Sequence, residues 1–192
     1  MDYIEQNIPD YKKDFFDRLG DYLNTKIYYY GSIHRYDNFS ESDIDIEVFT
    51  MNEYETLNKI CRFLNFDIDD AKEFMWKLHI NNDIIHGYKL LYHDCKNDFY
   101  VDISIFNEKN KNNILNDQKI TDNINIFYIM LLIILKFFYY KIQIIDWATY
   151  SHIKKKIIGL AIGGDKSEFI IIGEDENKRV LPFNKIWNFL HL

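Results

Sequence analysis

Cysteine, proline and glycine are scarce in this chain, at 2, 2 and 7 residues out of 192. Cys61 and Cys95 supply neither a disulfide framework nor a metal-ligand spacing, which argues against a stapled secreted domain and for a reducing compartment. So little proline and glycine leaves no stretch that reads as a linker. The opening residues MDYIEQNIPD have neither a basic start nor an apolar core, so no secretory signal is expected and a cytoplasmic location is. Basic residues are outnumbered, 23 against 30, for a net charge of −7. A chain-wide basic footprint for nucleic acid is therefore missing. Long apolar runs are missing too. The longest, Ile126–Leu135, is about half of what a spanning helix needs, and Lys136 and Lys141 interrupt its extension. The expectation is a central helix packed on all sides, with no membrane partner.

Apolar residues are plentiful. Hydrophobic residues make up 47% of the chain and aromatics 17%, enough for a real core and too much for general disorder. Charge is unevenly placed: residues 1–106 carry 11 basic and 21 acidic side chains, residues 107–192 carry 12 and 9. The boundary near 107 also marks a change of pattern. Before it, helical spacing covers roughly 9–24, Tyr54–Leu64 and Ala71–Leu78, with strands at 26–30, 43–49, 84–93 and 99–106. Asp94-Cys-Lys-Asn-Asp98 is turn chemistry that closes the last two strands into a hairpin. After it, helices dominate, with a small hairpin around 173–178 and a terminal helix over 183–192. The expected fold is α+β: a mixed sheet flanked by helices over 1–107, then a mainly helical region with a small hairpin over 108–192.

The chemistry concentrates in residues 30–46 and at Asp102. Asp43 and Asp45 stand two apart on a strand, so both side chains leave one face while Ile44, Ile46 and Val48 enter the core. Two adjacent carboxylates repel, and a divalent cation removes that cost. Hard oxygen ligands select Mg²⁺ or Mn²⁺. Ten residues before the pair, Gly31-Ser32 ends a strand and opens a short helix, where a bare backbone can approach phosphate closely. Asp102 shares a strand face with Tyr100 and Ser104. If that strand lies beside the Asp43 strand, three carboxylates meet and can hold two ions about 4 Å apart.

Taken together, Tyr30, Gly31-Ser32, Asp43-Ile44-Asp45-Ile46 and Asp102 resemble the motif set of the DNA polymerase β-like nucleotidyltransferase superfamily, in a minimal form, over the first 106 residues or so. The resemblance implies transfer of a nucleoside monophosphate from an NTP to a hydroxyl, with pyrophosphate released. It implies that Asp43 and Asp45 bind both ions, that Asp102 binds the catalytic one and helps deprotonate the acceptor, and that Gly31 and Ser32 take the triphosphate.

Other residues carry weaker signals. Arg35 is a candidate phosphate contact, with a surface position the simpler reading. Lys154, in the run Lys154–Lys156, is a candidate NTP contact, with a solvated helix end the simpler reading. Glu47 reads as a solvated end of the Asp45 face. Gly163-Gly-Asp-Lys166 lacks phosphate-loop spacing and reads as a turn. His79, His86 and His93 share no plausible metal site. Tyr28–Tyr30 and Phe137–Tyr140 read as core packing. The acceptor has three versions. A nucleic-acid 3′ end (RNA or DNA) fits the positive back half, a small cationic compound fits the overall acidity, and a partner protein's hydroxyl fits the small size. A binding or assembly module without turnover is the contrasting class.

Overall fold

In the computed structural model, residues 8–163 and 169–171 are described. The chain is α+β, built on a mixed six-stranded sheet in the order β1-β2-β5-β4-β3-β6. The strands are β1 (Ile27–Tyr29), β2 (Ile44–Thr50), β3 (Lys72–Lys77), β4 (Ile84–Asp94), β5 (Phe99–Asn107) and β6 (Phe169–Ile171). Only β2 and β5 run parallel; every other pair is antiparallel. The α-helices are α1 (Asp10–Leu23), α2 (Ser32–Arg35), α3 (Glu53–Leu64), α4 (Lys111–Asp122), α5 (Ile126–Lys136) and α6 (Trp147–Ile162).

Local chemistry sets the boundaries of these elements. Pro9 precedes α1, and Asn24 closes it in the left-handed conformation at φ 51°, a conformation asparagine adopts more readily than most residues. Asn52 caps α3 by accepting from the Glu55 N–H at 3.1 Å, while its amide donates to the Glu55 carboxylate at 3.3 Å. The arrangement is a variant of the reciprocal helix cap, in which Glu55 meets the Asn52 side-chain amide while the Asn52 N–H donates to Thr50 Oγ1 at 3.3 Å. Asp94 folds the β4–β5 turn by accepting from the Lys96 N–H at 3.0 Å and the Asn97 side chain at 2.8 Å.

Helices α1 and α3 cover one sheet face. Phe15, Phe16, Leu19, Leu57, Ile60 and Leu64 pack there against Ile44, Ile46, Val48, Val101, Ile103 and Ile105. Strand alternation sends the remaining side chains of β2 and β5 to the other face. That face carries Asp45, Glu47, Asp102 and Ser104, and α4 reaches it through Gln118. A second apolar cluster joins Phe49, Phe74, Trp76, Leu78, Ile85, Phe106 and Ile114 at the opposite ends of the strands.

Two expectations are corrected. Residues 71–78 are not helical: Lys72–Lys77 is strand β3, and its buried residues Phe74 and Trp76, followed by Leu78, are spaced by two. Ala71, Phe74, Met75 and Leu78 also satisfy helical spacing, but the edge of β4 offers backbone partners that an isolated helix lacks. Nor is α5 packed on all sides. It buries Leu132, Leu135 and Lys136, while Ile126, Phe127 and Met130 stay more than half exposed. Among the described residues, no single helix is long and apolar enough to cross a membrane; one pair, Glu108–Asp122 with Ile126–Ile142, meets that test jointly but is bent by 83°. The small hairpin over 173–178 and the terminal helix over 183–192 lie outside the described residues.

Ile103 is fully buried between β2 and the helices α1 and α3. Ile103→Ala is expected to lower stability by about 2–5 kcal/mol, read as the shift of a urea unfolding curve; a shift below about 0.5 kcal/mol contradicts this core.

Candidate functional site

The parallel register sets Asp45 directly opposite Asp102, with Ile46 opposite Ile103 and Glu47 opposite Ser104. Asp43 sits just before β2. One carboxylate oxygen from each of Asp43, Asp45 and Asp102 lies within 4.8 Å of the others. The juxtaposition raised as a condition in the sequence is therefore met.

Gly31 roofs the cluster. Its φ of 74° suits glycine, and a Cβ there would stand 2.6 Å from Asp45 Oδ2. The bare backbone thus leaves room for the carboxylate, and any side chain would take its place. Ser32 is buried at the first position of α2, and the Tyr30 N–H donates to the Asp45 carbonyl at 3.2 Å. The Tyr30 hydroxyl lies 3.4 Å from Ser104 Oγ.

Burial first, and then the neighbouring carboxylates, raise the pKa of Asp45. Burial likewise raises Asp102, against the pull of Lys89. Lys89 Nζ stands 2.8 Å from Asp102 Oδ2. Burial works against the charge of Lys89, but Asp102 and Asp45 outweigh it and hold its pKa above the ordinary value. The other oxygen, Asp102 Oδ1, is buried with no hydrogen-bond partner among the described residues. Three carboxylates with an unanswered buried oxygen, beneath a backbone that leaves space, are a donor set that fits a hard divalent cation.

Lys154 is half-buried on α6 and its charge favours ionised Asp45 and Asp102. The expectation of a helix end is corrected: the lysine run lies in the middle of α6, with Lys155 and Lys156 exposed and Lys154 turned toward the cluster. Arg35 is corrected: it is buried rather than on the surface. Its Nε lies 3.2 Å from Asp37 Oδ1, and its Nη1 lies 3.9 Å from Asp122 Oδ1. Glu47 is also corrected. It is 1% exposed, accepts from the Gln118 side chain, and is pushed up to about 8 by burial. Glu47 stands in the middle of β2 rather than at its end, and α4 closes over a side chain that is usually solvated. Among the tyrosines first read as core, Tyr139 and Tyr140 pack with Tyr150 and Trp147, close enough to Asp43 for its charge to raise their pKa after burial.

Neither Lys89 nor Lys136 is predicted at the site from the sequence, where Lys136 figures only as a break in the apolar run 126–135. The hairpin register was a usable signal for Lys89: a four-residue turn closing Asp94 on Phe99 sets Leu91 against Asp102 and Lys89 against Ser104. Lys136 had no such signal. It is 3% exposed, donates to the Asp37 carbonyl at 2.8 Å and pairs with Asp37 Oδ2 at 3.3 Å. Burial lowers its pKa to about 8, with Asp37 opposing. This pair and Arg35 hold the loop after Gly31-Ser32 against α4 and α5.

The chain matches no protein-family model, curated protein or solved structure.

Two outcomes follow from this geometry. Gly31→Ala is expected to displace the Asp45 carboxylate and weaken Mn²⁺ binding at least tenfold, measured by titration of the Mn²⁺ spectroscopic signal; unchanged affinity contradicts the roof. Asp45, Glu47 and Asp102 have raised pKa values, so the native state holds more protons than the unfolded chain from about pH 4 up to about pH 8. Stability of the metal-free protein is therefore expected to fall between pH 5.5 and 8, and added Mg²⁺ to stabilise more at pH 8 than at 5.5. Thermal melts in chelator and in Mg²⁺ at both values check the sign; a melting temperature that rises with pH in chelator contradicts it.

Proposed function

We propose that the chain is a metal-dependent nucleotidyltransferase of the DNA polymerase β-like type, which moves a nucleoside monophosphate from an NTP to a hydroxyl acceptor. The observation that carries this reading is the meeting of Asp43, Asp45 and Asp102 beneath Gly31. Acidic clusters are common on surfaces, but this one is built from two core strands and has a glycine roof.

Asp43, Asp45 and Asp102 would hold two Mg²⁺ or Mn²⁺ ions, which when bound supply charge stabilisation to the oxygens of a transferring phosphoryl group. Gly31 and Ser32 offer backbone beside the cluster for the triphosphate. Lys154 adds positive charge from the α6 side, where phosphate charge would lie. In the transfer, the acceptor oxygen forms a bond to the α-phosphorus while the bond to the α–β bridging oxygen breaks. The electron pair leaves with pyrophosphate. The acceptor proton passes to a base, and Asp102, with a raised pKa and one oxygen that has no partner among the described residues, is the group suited to take it.

One observation favours the contrasting reading. Lys89 neutralises part of the cluster internally, so the fold can stand without a divalent cation, as a binding module would require. The same experiment separates the two. Incubation with α-labelled NTP and Mg²⁺ or Mn²⁺, against RNA, DNA, protein and small-molecule acceptors, is expected to label an acceptor. Asp43→Asn with Asp45→Asn is expected to lower the rate by at least 10³-fold, about 4 kcal/mol of transition-state stabilisation. Label transfer by the double variant at the native rate overturns the assignment, and no transfer by the native protein leaves the binding-module reading standing.

A further inference from the structure

Beyond the cluster, at the start of β2 and β5, lies a cavity of about 810 Å³. Its walls come from the first turn of α1, the loop over 38–43 and the β4–β5 turn. Lys12, Tyr11, Phe39, Phe99 and Tyr100 line it, and so does Asp43 of the cluster. Lys12 is 7% exposed. Its Nζ lies 5.2 Å from the Phe99 ring centre and 6.0 Å from that of Tyr11, and no carboxylate pairs with it among the described residues. Ring faces replace only part of the hydration that an ammonium loses on burial.

Two of the cavity's three other charges have a partner. Glu41 pairs with Lys141, Asp98 lies 3.1 Å from His93 Nε2, and Asp43 belongs to the carboxylate cluster. Lys12 is left as a buried cation aimed into an open, aromatic-walled space. What such a site lacks is an anion attached to a flat, apolar body. The volume lies within the range that encloses a small organic ligand.

We propose that this cavity is a seat for a phosphorylated nucleoside unit, free or at the end of a strand, with its phosphate on Lys12 and its base among Tyr11, Phe39, Phe99 and Tyr100. Because Asp43 is part of the cavity wall, a unit seated there lies against the carboxylate cluster, which makes it the acceptor of the reaction. The acceptor role rests on the nucleotidyltransferase reading; the seat itself does not.

The test is binding in chelator, with neither metal nor NTP, by calorimetric titration. The probes are a nucleoside 5′-monophosphate, the matching nucleoside, and a short single-stranded oligonucleotide with a free 3′-hydroxyl. The native protein is expected to bind the monophosphate or the oligonucleotide at least tenfold more tightly than the nucleoside. Preference between the two phosphorylated probes separates a free nucleotide from a strand end. Lys12→Met is expected to lose about tenfold in affinity for the phosphorylated probes while melting no lower than the native protein, since it removes a buried charge with no carboxylate partner among the described residues. Lys12→Arg is expected to keep most of the affinity. Equal binding by native protein and Lys12→Met, or equal binding of nucleoside and monophosphate, overturns the seat. Lys12-dependent binding in a protein that transfers no label removes the enzymatic reading and keeps the seat.

Discussion

Asp45 faces Asp102 across the only parallel strand pair among the described residues, and Lys89 and Lys154 answer that contact. Like charges directly opposite on neighbouring strands destabilise a sheet, and burial strengthens the repulsion. The register is nevertheless imposed from the other side. Ile44, Ile46, Val101 and Ile103 alternate with the acids and are locked under α1 and α3. A slip of one residue would turn those isoleucines outward, so the core holds the carboxylates together against their repulsion.

Positive charge arrives from two directions to offset this. Lys89 comes from the neighbouring strand β4 and pairs with Asp102. Lys154 comes from α6, far along the chain. The same exchange repeats around the cluster: Lys136 enters on Asp37, and Lys141 pairs with Glu41. The acidic front half and the mildly basic back half are thus complementary inside one molecule. Three back-half lysines are directed at front-half carboxylates, which removes much of the reason to read the back half as a nucleic-acid surface. The better-placed cation for an anionic partner is Lys12, in the front half, because no carboxylate pairs with it among the described residues.

Burial of Arg35, Asp37 and Lys136 also explains why the loop after Gly31-Ser32 holds its place. Charges withdrawn from water hold well only where their geometry answers them, and breaking one partner leaves another stranded. The segment beside the cluster is therefore tied to α4 and α5 rather than left as a surface turn, and the helical back half becomes part of the site's support.

Much of this was legible locally. Period-two alternation in 43–48 and 99–106 assigned the acids and the core residues to their faces. The turn at 95–98 announced a hairpin, and Gly31 marked a close backbone approach, all from interactions within a few residues. Residues 71–78 fitted two periodicities, and only the edge of β4 decided between them. Arg35 and Glu47 carry side chains that are usually solvated, and nothing near them in the chain announces α4 and α5 closing over them. The pairing of β2 with β5, the entry of Lys89 and the burial of Lys12 against Phe99 depend on which elements meet. Backbone patterning is a property of neighbours along the chain, whereas burial and counter-charge are properties of neighbours in space.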